Sequence, residues 1–500
     1  MSSSAFIKRF LINTTIVAAL LLLLGKCFGF YYGWVDDVLF EQAIRGVFTA
    51  QPIPDFFVVF RLYWQLLVIL YQKIPGHSWY GIILLAFQAI NCIVIFCFAD
   101  GLLNRYAFFE KLLAKLLFGS AFLLNPLIEI TFTEVALIAV AGGVLLLFVS
   151  DNRAAKTIAW LAILNGLLIR FDAALAVPAV LAMCLPMYYN RPGKIKTISA
   201  LVIFFALCFV TDKVVEPFIS IPQRNQDVEI DNVVKNLSLL NGGNINAANL
   251  SSFSKLEQLK INEISLYFIT FETLPQQPTL NKITNNCLFC RGRLNALSWK
   301  LKINYFRLFH SYPLQYKYLH NPGFHICLFF LQFIILLLFS GKGPTRRAML
   351  YAGFLFVMLF ALTALLYKME DRIFYPCWLL FYSLSLWAVQ NKNGNTSFFK
   401  PIVYSLFIPA LFGLAAEFNF YNSLKTEMRE KADVINELNT EYRSKYFYVD
   451  LPAMTCINQE LLYEVNLSPD VKPLAYGDFW YSLFNSHREY LKNLTGGEDL

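Results

Sequence analysis

An all-α, multi-pass membrane protein of about eleven transmembrane helices is the fold class this sequence predicts, since a bilayer core about 30 Å thick needs roughly 20 apolar residues per crossing. Three observations carry the prediction. Of 500 residues, 57% are hydrophobic and only 15% are charged, whereas a soluble domain is about 25% charged. Apolar runs of spanning length recur along the whole chain. The few cations fall into alternate connections between those runs.

The runs lie near 10–30, 82–99, 112–130, 132–149, 156–171, 173–189, 197–215, 323–341, 347–367, 373–390 and 401–417. Lys8 and Arg9 precede the first. It reads as an uncleaved helix, because "GFYYGWVDD" follows where a signal peptide would show a small-residue cleavage site. With the N-terminus in the cytoplasm, the inner connections hold Arg105, Lys111 and Lys115; Arg153 and Lys156; Arg191, Lys194 and Lys196; Lys342, Arg346 and Arg347; Lys392 and Lys400. Against these cations stand only Asp100, Glu110 and Asp151. The positive-inside rule is obeyed at every alternate loop. The net charge of +8 therefore marks topology and not nucleic-acid binding. Ten cysteines show no zinc-like quartet. Cys27, Cys92, Cys97, Cys184, Cys208, Cys327 and Cys377 lie in apolar runs, as small core residues do.

Residues 55–74, "DFFVVFRLYWQLLVILYQKI", are apolar enough to span but carry Arg61 and Gln65. An arginine at a helix centre costs roughly 2.5–3.5 kcal/mol on insertion. A crossing here would also invert every later loop. The segment is therefore expected to lie in the interface or re-enter against the bundle. Extracytoplasmic amphipathic helices and loops then comprise residues 31–81, the Asn-rich 216–322, and the tail 418–500, which opens with a charged helical stretch. Residues 1–417 form the transmembrane bundle, and 418–500 a separate tail domain.

Candidate chemistry gathers on the outer side. After the first helix comes "WVDDVLFEQAIRG", with Asp36 and Asp37 at the entrance of a helix. Leu39, Phe40, Ala43, Ile44, Val47 and Phe48 recur at helical spacing, and Glu41, Gln42 and Arg45 fall elsewhere. A carboxylate there suits a general base or a metal ligand. It equally suits an N-cap. Arg170 and Asp172 sit in "LLIRFDAALAVP"; Lys368, Glu370, Asp371 and Arg372 sit in "LLYKMEDRIFYP"; Glu129 and Glu134 flank a helix turn. Ionisable groups kept beside apolar helices usually line a cavity or pathway, although outer-loop cations can be merely solvated. His77 in "IPGHSWYG" is a weaker candidate, more simply interfacial. Cys287 and Cys290 form a C-x-x-C in an outward segment, where oxidising conditions favour a disulfide.

In this layout the chain resembles the GT-C superfamily of integral-membrane glycosyltransferases. The likeness rests on the many-helix bundle, "WVDDVLFEQAIRG", the later "HSWYG", and an outer first loop of residues 31–81. It implies a bacterial inner-membrane enzyme taking a sugar from a polyprenyl-phosphate carrier to an extracytoplasmic glycan or lipid-linked acceptor. Asp37, or Asp36, would be the catalytic base. Arg170, Arg372 and Lys368 would hold the donor phosphate. Asp172, His77 and Glu134 would contact substrate. A divalent metal, Mg or Mn, would involve Asp36 and Asp37 if it takes part. The rivals are a polysaccharide polymerase or ligase, dependent on loop Arg and His, and a transporter or flippase of lipid-linked envelope components, for which internal repeats or broken helices would speak.

Overall fold

The computed structural model describes residues 3–33, 35–45, 61–188, 192–219, 255, 322–341, 343–366, 371–390, 399–441, 446–449 and 472–475. Of these, 89% are helical. Each of the eleven apolar runs coincides with a helix or a short helical series. They are α1 (Ser3–Cys27), α4 (Trp79–Leu102), α5 (Phe108–Phe118) continuing into α6 (Leu124–Ile128), α7 (Phe132–Val149), α8 (Arg153–Ile169), α9 and α10 (Phe171–Ala174 and Ala176–Cys184), α11 (Pro192–Ile219), α12 (Pro322–Phe339), α13 (Pro344–Leu366), α14 (Asp371–Gln390) and α15 (Phe399–Glu441). Two shorter helices, α2 (Val35–Arg45) and α3 (Arg61–Lys73), lie between α1 and α4.

Six described helices or helix pairs are long and apolar enough to cross a membrane: Ser3–Cys27, Trp79–Leu102, Phe108–Ile128, Phe132–Val149, Arg372–Gln390 and Phe399–Phe418. Leu11, Leu22 and Leu23 on α1, Trp160 and Leu161 on α8, and Phe407 and Leu411 on α15 stand exposed. Apolar surface on this scale would drive aggregation in water; lipid is the solvent that accommodates it.

At the centre of the bundle runs α7, 94% of whose spanning window is buried. It packs against α4, α8 and α14. The approach to α8 is close because a glycine of α8 faces α7: a β-carbon on Gly166 would lie 2.3 Å from the Ala136 carbonyl oxygen. Small residues let membrane helices come this near. Between α4 and α7, the Asn91 side chain donates to the Val135 carbonyl at 2.9 Å.

The basic end of the bundle holds a buried polar triad. Lys115 Nζ sits 2.8 Å from Asp100 and 2.7 Å from Asn13 Oδ1, and Asn13 Nδ2 donates to Asp100 at 2.9 Å. Lys115 and Asp100, expected in a connection, are in fact inside α5 and α4. There they neutralise one another, as buried charges must.

Four further points differ from the expectations. Two pairs of short parallel strands interrupt the all-α pattern: β1 (Tyr31–Tyr32) with β2 (Glu129–Ile130), and β3 (Tyr446–Val449) with β4 (Lys472–Ala475). The helix between 108 and 128 carries a π-turn at Gly119–Leu123. In α2, Glu41 and Gln42 are buried beside Val38 and Ile44, so its inner face is not purely apolar. Finally, α15 runs unbroken through residues 417 and 418, where bundle and tail were divided.

Candidate functional site

The β1–β2 pair brings the chain after α1 to the start of α7. Tyr31 pairs with Glu129 and Tyr32 with Ile130, and the Gly33 amide donates to the Ile130 carbonyl at 3.0 Å. Only glycine fits at 33, since a β-carbon would meet Thr131 Cγ2 at 2.8 Å and the Glu129 carbonyl oxygen at 3.0 Å. From this staple α2 turns inward and points Asp37 at α7.

Asp37 is fully buried. Its Oδ1 accepts the Tyr80 hydroxyl at 2.8 Å and the Phe132 amide at 3.0 Å. Phe132 is the first residue of α7, so Asp37 caps a helix start other than its own and gains from the positive end of that helix dipole. Four residues on, one turn along the same face, Glu41 is equally buried. The Tyr32 hydroxyl donates to Glu41 Oε2, and the Tyr71 hydroxyl to Oε1 at 3.1 Å. Tyr71 in turn accepts the Tyr80 amide at 3.0 Å, which ties the Glu41 group to the Asp37 group. Burial pushes the Glu41 carboxyl above its ordinary range, and the hydrogen bonds from Ser78, Tyr32 and Tyr71 only partly offset it. Burial also raises the Tyr32 and Tyr71 hydroxyls, and the charge of Glu41 raises both further.

Arg170 reaches the same turn from the far side. Its guanidinium lies over the Phe132 ring, 4.7 Å from the centroid, and donates to Thr133 Oγ1. The turn itself reads T-F-T-E, a capping-box pattern. The Glu134 amide donates to Thr131 Oγ1 at 3.1 Å, and the Thr131 hydroxyl lies 3.2 Å from Glu134 Oε2.

Beside that turn opens a cavity of about 110 Å³, bounded by the π-turn, α6, α12, α14 and α15. Glu134 and Arg372 both line it. So do Asn125, Glu129, Gln332 and Glu417. Asn125 Nδ2 donates to Glu129 Oε1 at 3.2 Å and to Glu417 Oε1 at 3.0 Å, and the Trp378 indole donates to Gln332 at 2.6 Å.

The sequence candidates thus divide. Asp37, Glu134 and Arg170 meet at the first turn of α7, and Arg372 shares the cavity with Glu134. His77 is exposed, its ring edge-on to Trp79, and does not line the cavity. Asp36 and Asp172 belong to α2 and α9, but their side chains lie outside the described ones. Lys368, Cys287 and Cys290 lie outside the described residues altogether. Glu41, Asn125 and Glu417 went unnoticed as functional candidates. The one local signal was a glutamate at the end of the apolar run 401–417. Asp37 spends Oδ1 on two donors, and among the described residues no three His, Cys, Asp or Glu side chains gather closely enough to hold a metal ion.

No protein-family model matches the chain, and neither a curated protein nor a solved structure matches it.

Proposed function

We propose that the chain is a multi-pass bacterial inner-membrane glycosyltransferase of the GT-C type, with about eleven crossings of roughly 20 residues each. It moves a sugar from a polyprenyl-phosphate carrier to a glycan or lipid-linked acceptor at the extracytoplasmic face. The observation that carries this reading is the meeting of Asp37, Glu134 and Arg170 at one helix turn, with Arg372 in the adjoining cavity. Buried ionisable groups among apolar helices are costly and mark working sites.

The chemistry asks for two things. A carboxylate takes the proton of the acceptor hydroxyl as its oxygen bonds to the anomeric carbon. Cations receive the electron pair left on the carrier phosphate when the sugar–phosphate bond breaks. Arg372, with Arg170 held against the first turn of α7, suits the second task, since a guanidinium grips phosphate with two parallel donors. For the first, Glu134 faces the cavity, while Asp37 is shut in behind Tyr80 and Phe132 and meets substrate only when α2 swings away.

Cells lacking the protein should accumulate a polyprenyl-phosphate sugar that wild-type cells consume. Loss of a general base costs about 10²–10⁴ in rate, so Glu134→Gln or Asp37→Asn, whichever removes the base, should restore almost none of that consumption despite normal insertion. An unchanged lipid-linked pool in the deletion, or full restoration by the Asp37→Asn/Glu134→Gln double variant, would refute the reading.

A transporter is the second reading, favoured by one observation. At its opposite end α7 borders another polar hollow, of about 290 Å³, lined by Arg9, Asp100, Asn104, Ser150, Asp151 and Asn152. Vesicles in which a lipid-linked sugar changes leaflet with its phosphate bond intact would decide for it.

A further inference from the structure

The cavity beside α7 has a lining that restricts what it can hold. Its walls are aromatic: Phe122, Phe329, Tyr375, Trp378 and Phe412 face it from four elements. Its charged surface is dominated by hydrogen-bond acceptors, with neutral donors at Ser120, Gln332 and Tyr375 beside them. Both protons of the Asn125 amide go to Glu129 and Glu417, and the Gln332 carbonyl is taken by Trp378. An ionised carboxylate only accepts. Three glutamates, Glu129, Glu134 and Glu417, face the space against one guanidinium, Arg372. A guest must therefore bring donors and no negative charge of its own beyond what Arg372 answers. At about 110 Å³ the space is smaller than the apolar cavity of about 150 Å³ that admits benzene, so it takes one edge of a six-membered ring and leaves the rest outside. Ring hydroxyls or an ammonium group would supply the donors, and the apolar faces of such a ring would lie against the aromatic walls.

We propose that this cavity receives one edge of the donor sugar's ring and selects a neutral or amino-bearing sugar over a uronic acid; the assignment to the donor rests on the glycosyltransferase reading above, in which Arg372 holds the donor phosphate. The Glu129–Asn125–Glu417 bridge is the recognition element. It spans α6, β2 and α15 and fixes two carboxylates through one amide.

The test uses the full chain in lipid nanodiscs and three free sugars: methyl glucoside, glucosamine and glucuronate. Saturation-transfer NMR should show binding of the first two and none of glucuronate, even at about ten times their concentration. Replacing a charged acceptor by a neutral one, Glu417→Gln, should weaken glucosamine by about tenfold or more while sparing the Asn125 contact. Phe412→Ala, on a partly exposed wall, should weaken both sugars alike and so serves if Glu417→Gln does not fold. Equal binding of glucuronate, no binding of any sugar by the wild type, or unchanged binding in both variants would overturn the proposal. Transfer is measured on the same preparations. Discrimination without transfer sinks the enzyme reading alone, and transfer without discrimination sinks the subsite alone.

Discussion

At the scale of single residues, Glu41 carries the sharpest energetic consequence. Three hydroxyl groups surround it, yet loss of hydration outweighs them and its carboxyl is held above the ordinary range. The folded chain therefore keeps this proton to higher pH than the unfolded chain, whose glutamates titrate near 4.3. The direction is fixed by that difference: stability present at acid pH declines as pH rises from about 4.3 through the raised value, by about 1.4 kcal/mol for each pH unit between the two. Glu41→Gln keeps an acceptor for Tyr71 and removes the titration. Thermal unfolding in detergent should show the wild-type midpoint falling relative to Glu41→Gln as pH rises above about 4.3. Parallel curves for the two proteins would contradict the assignment. Glu41 was placed off the apolar stripe of its helix because the residues that bury it, Tyr32, Tyr71 and Ser78, lie in three other segments. Spacing within one helix carries no record of them. Asp37 was legible, since two acids at a helix entrance stand out in apolar sequence. That it caps α7 and not α2 depends on the strand pair, which two residues on each side cannot announce.

Among elements, the apolar runs were the most legible feature, because bilayer length and composition are local properties. Each of the eleven became a helix. The segment at 55–74 is instructive: its described helix, Arg61–Lys73, has 13 residues, about 20 Å at 1.5 Å per residue, short of the roughly 30 Å bilayer core. The π-turn was not legible. Nothing in "GSAFL" departs from helical composition, and the extra residue per turn shows only where it opens the cavity wall at Ser120, Ala121 and Phe122. Helix spacing gives a direct test. At Gly166 an added methyl group meets backbone on α7, at Ala136 and Val140, which cannot rotate away. Gly166→Ala should force α7 and α8 apart and destabilise the bundle by about 1–3 kcal/mol. Gly193→Ala, where nothing lies within 4 Å, should leave the melting temperature almost unchanged. Equal melting temperatures for the two variants would mean that the α7–α8 approach is not tightly packed.

For the whole molecule, the arrangement of ends turns a charge count into a geometric statement. Arg9 donates to Asn104 at 2.7 Å, and Asn152 donates to Ser3 at 3.3 Å. The start of α1, the α4–α5 link and the α7–α8 link therefore share one end of the bundle, and Arg105, Lys111, Arg153 and Lys156 belong to it by sequence. The β1–β2 staple, the start of α7 and the cavity occupy the other end, because α7 alone separates Thr131 from Ser150. With α7 crossing the bilayer, for which it is long and apolar enough, the basic end and the cavity end face opposite compartments whichever way the protein inserts. In the proposed topology the positive-inside rule sends the basic end to the cytoplasm, and the cavity to the extracytoplasmic side that the proposed reaction needs. Reporters fused after Ser150 and Asn190 should read cytoplasmic, and those after Asn285 and Leu500 exterior. The Ser150 fusion decides orientation, since it shares α7 with the site. An exterior reading there would put Glu134 and Arg372 on the cytoplasmic side and remove the donor that the proposed reaction needs. The Asn285 and Leu500 fusions decide parity. A cytoplasmic reading at both, with Ser150 also cytoplasmic, would mean an even number of crossings between Ser150 and Asn285, where the runs give three, and would part Arg372 from Glu134, against the cavity they share.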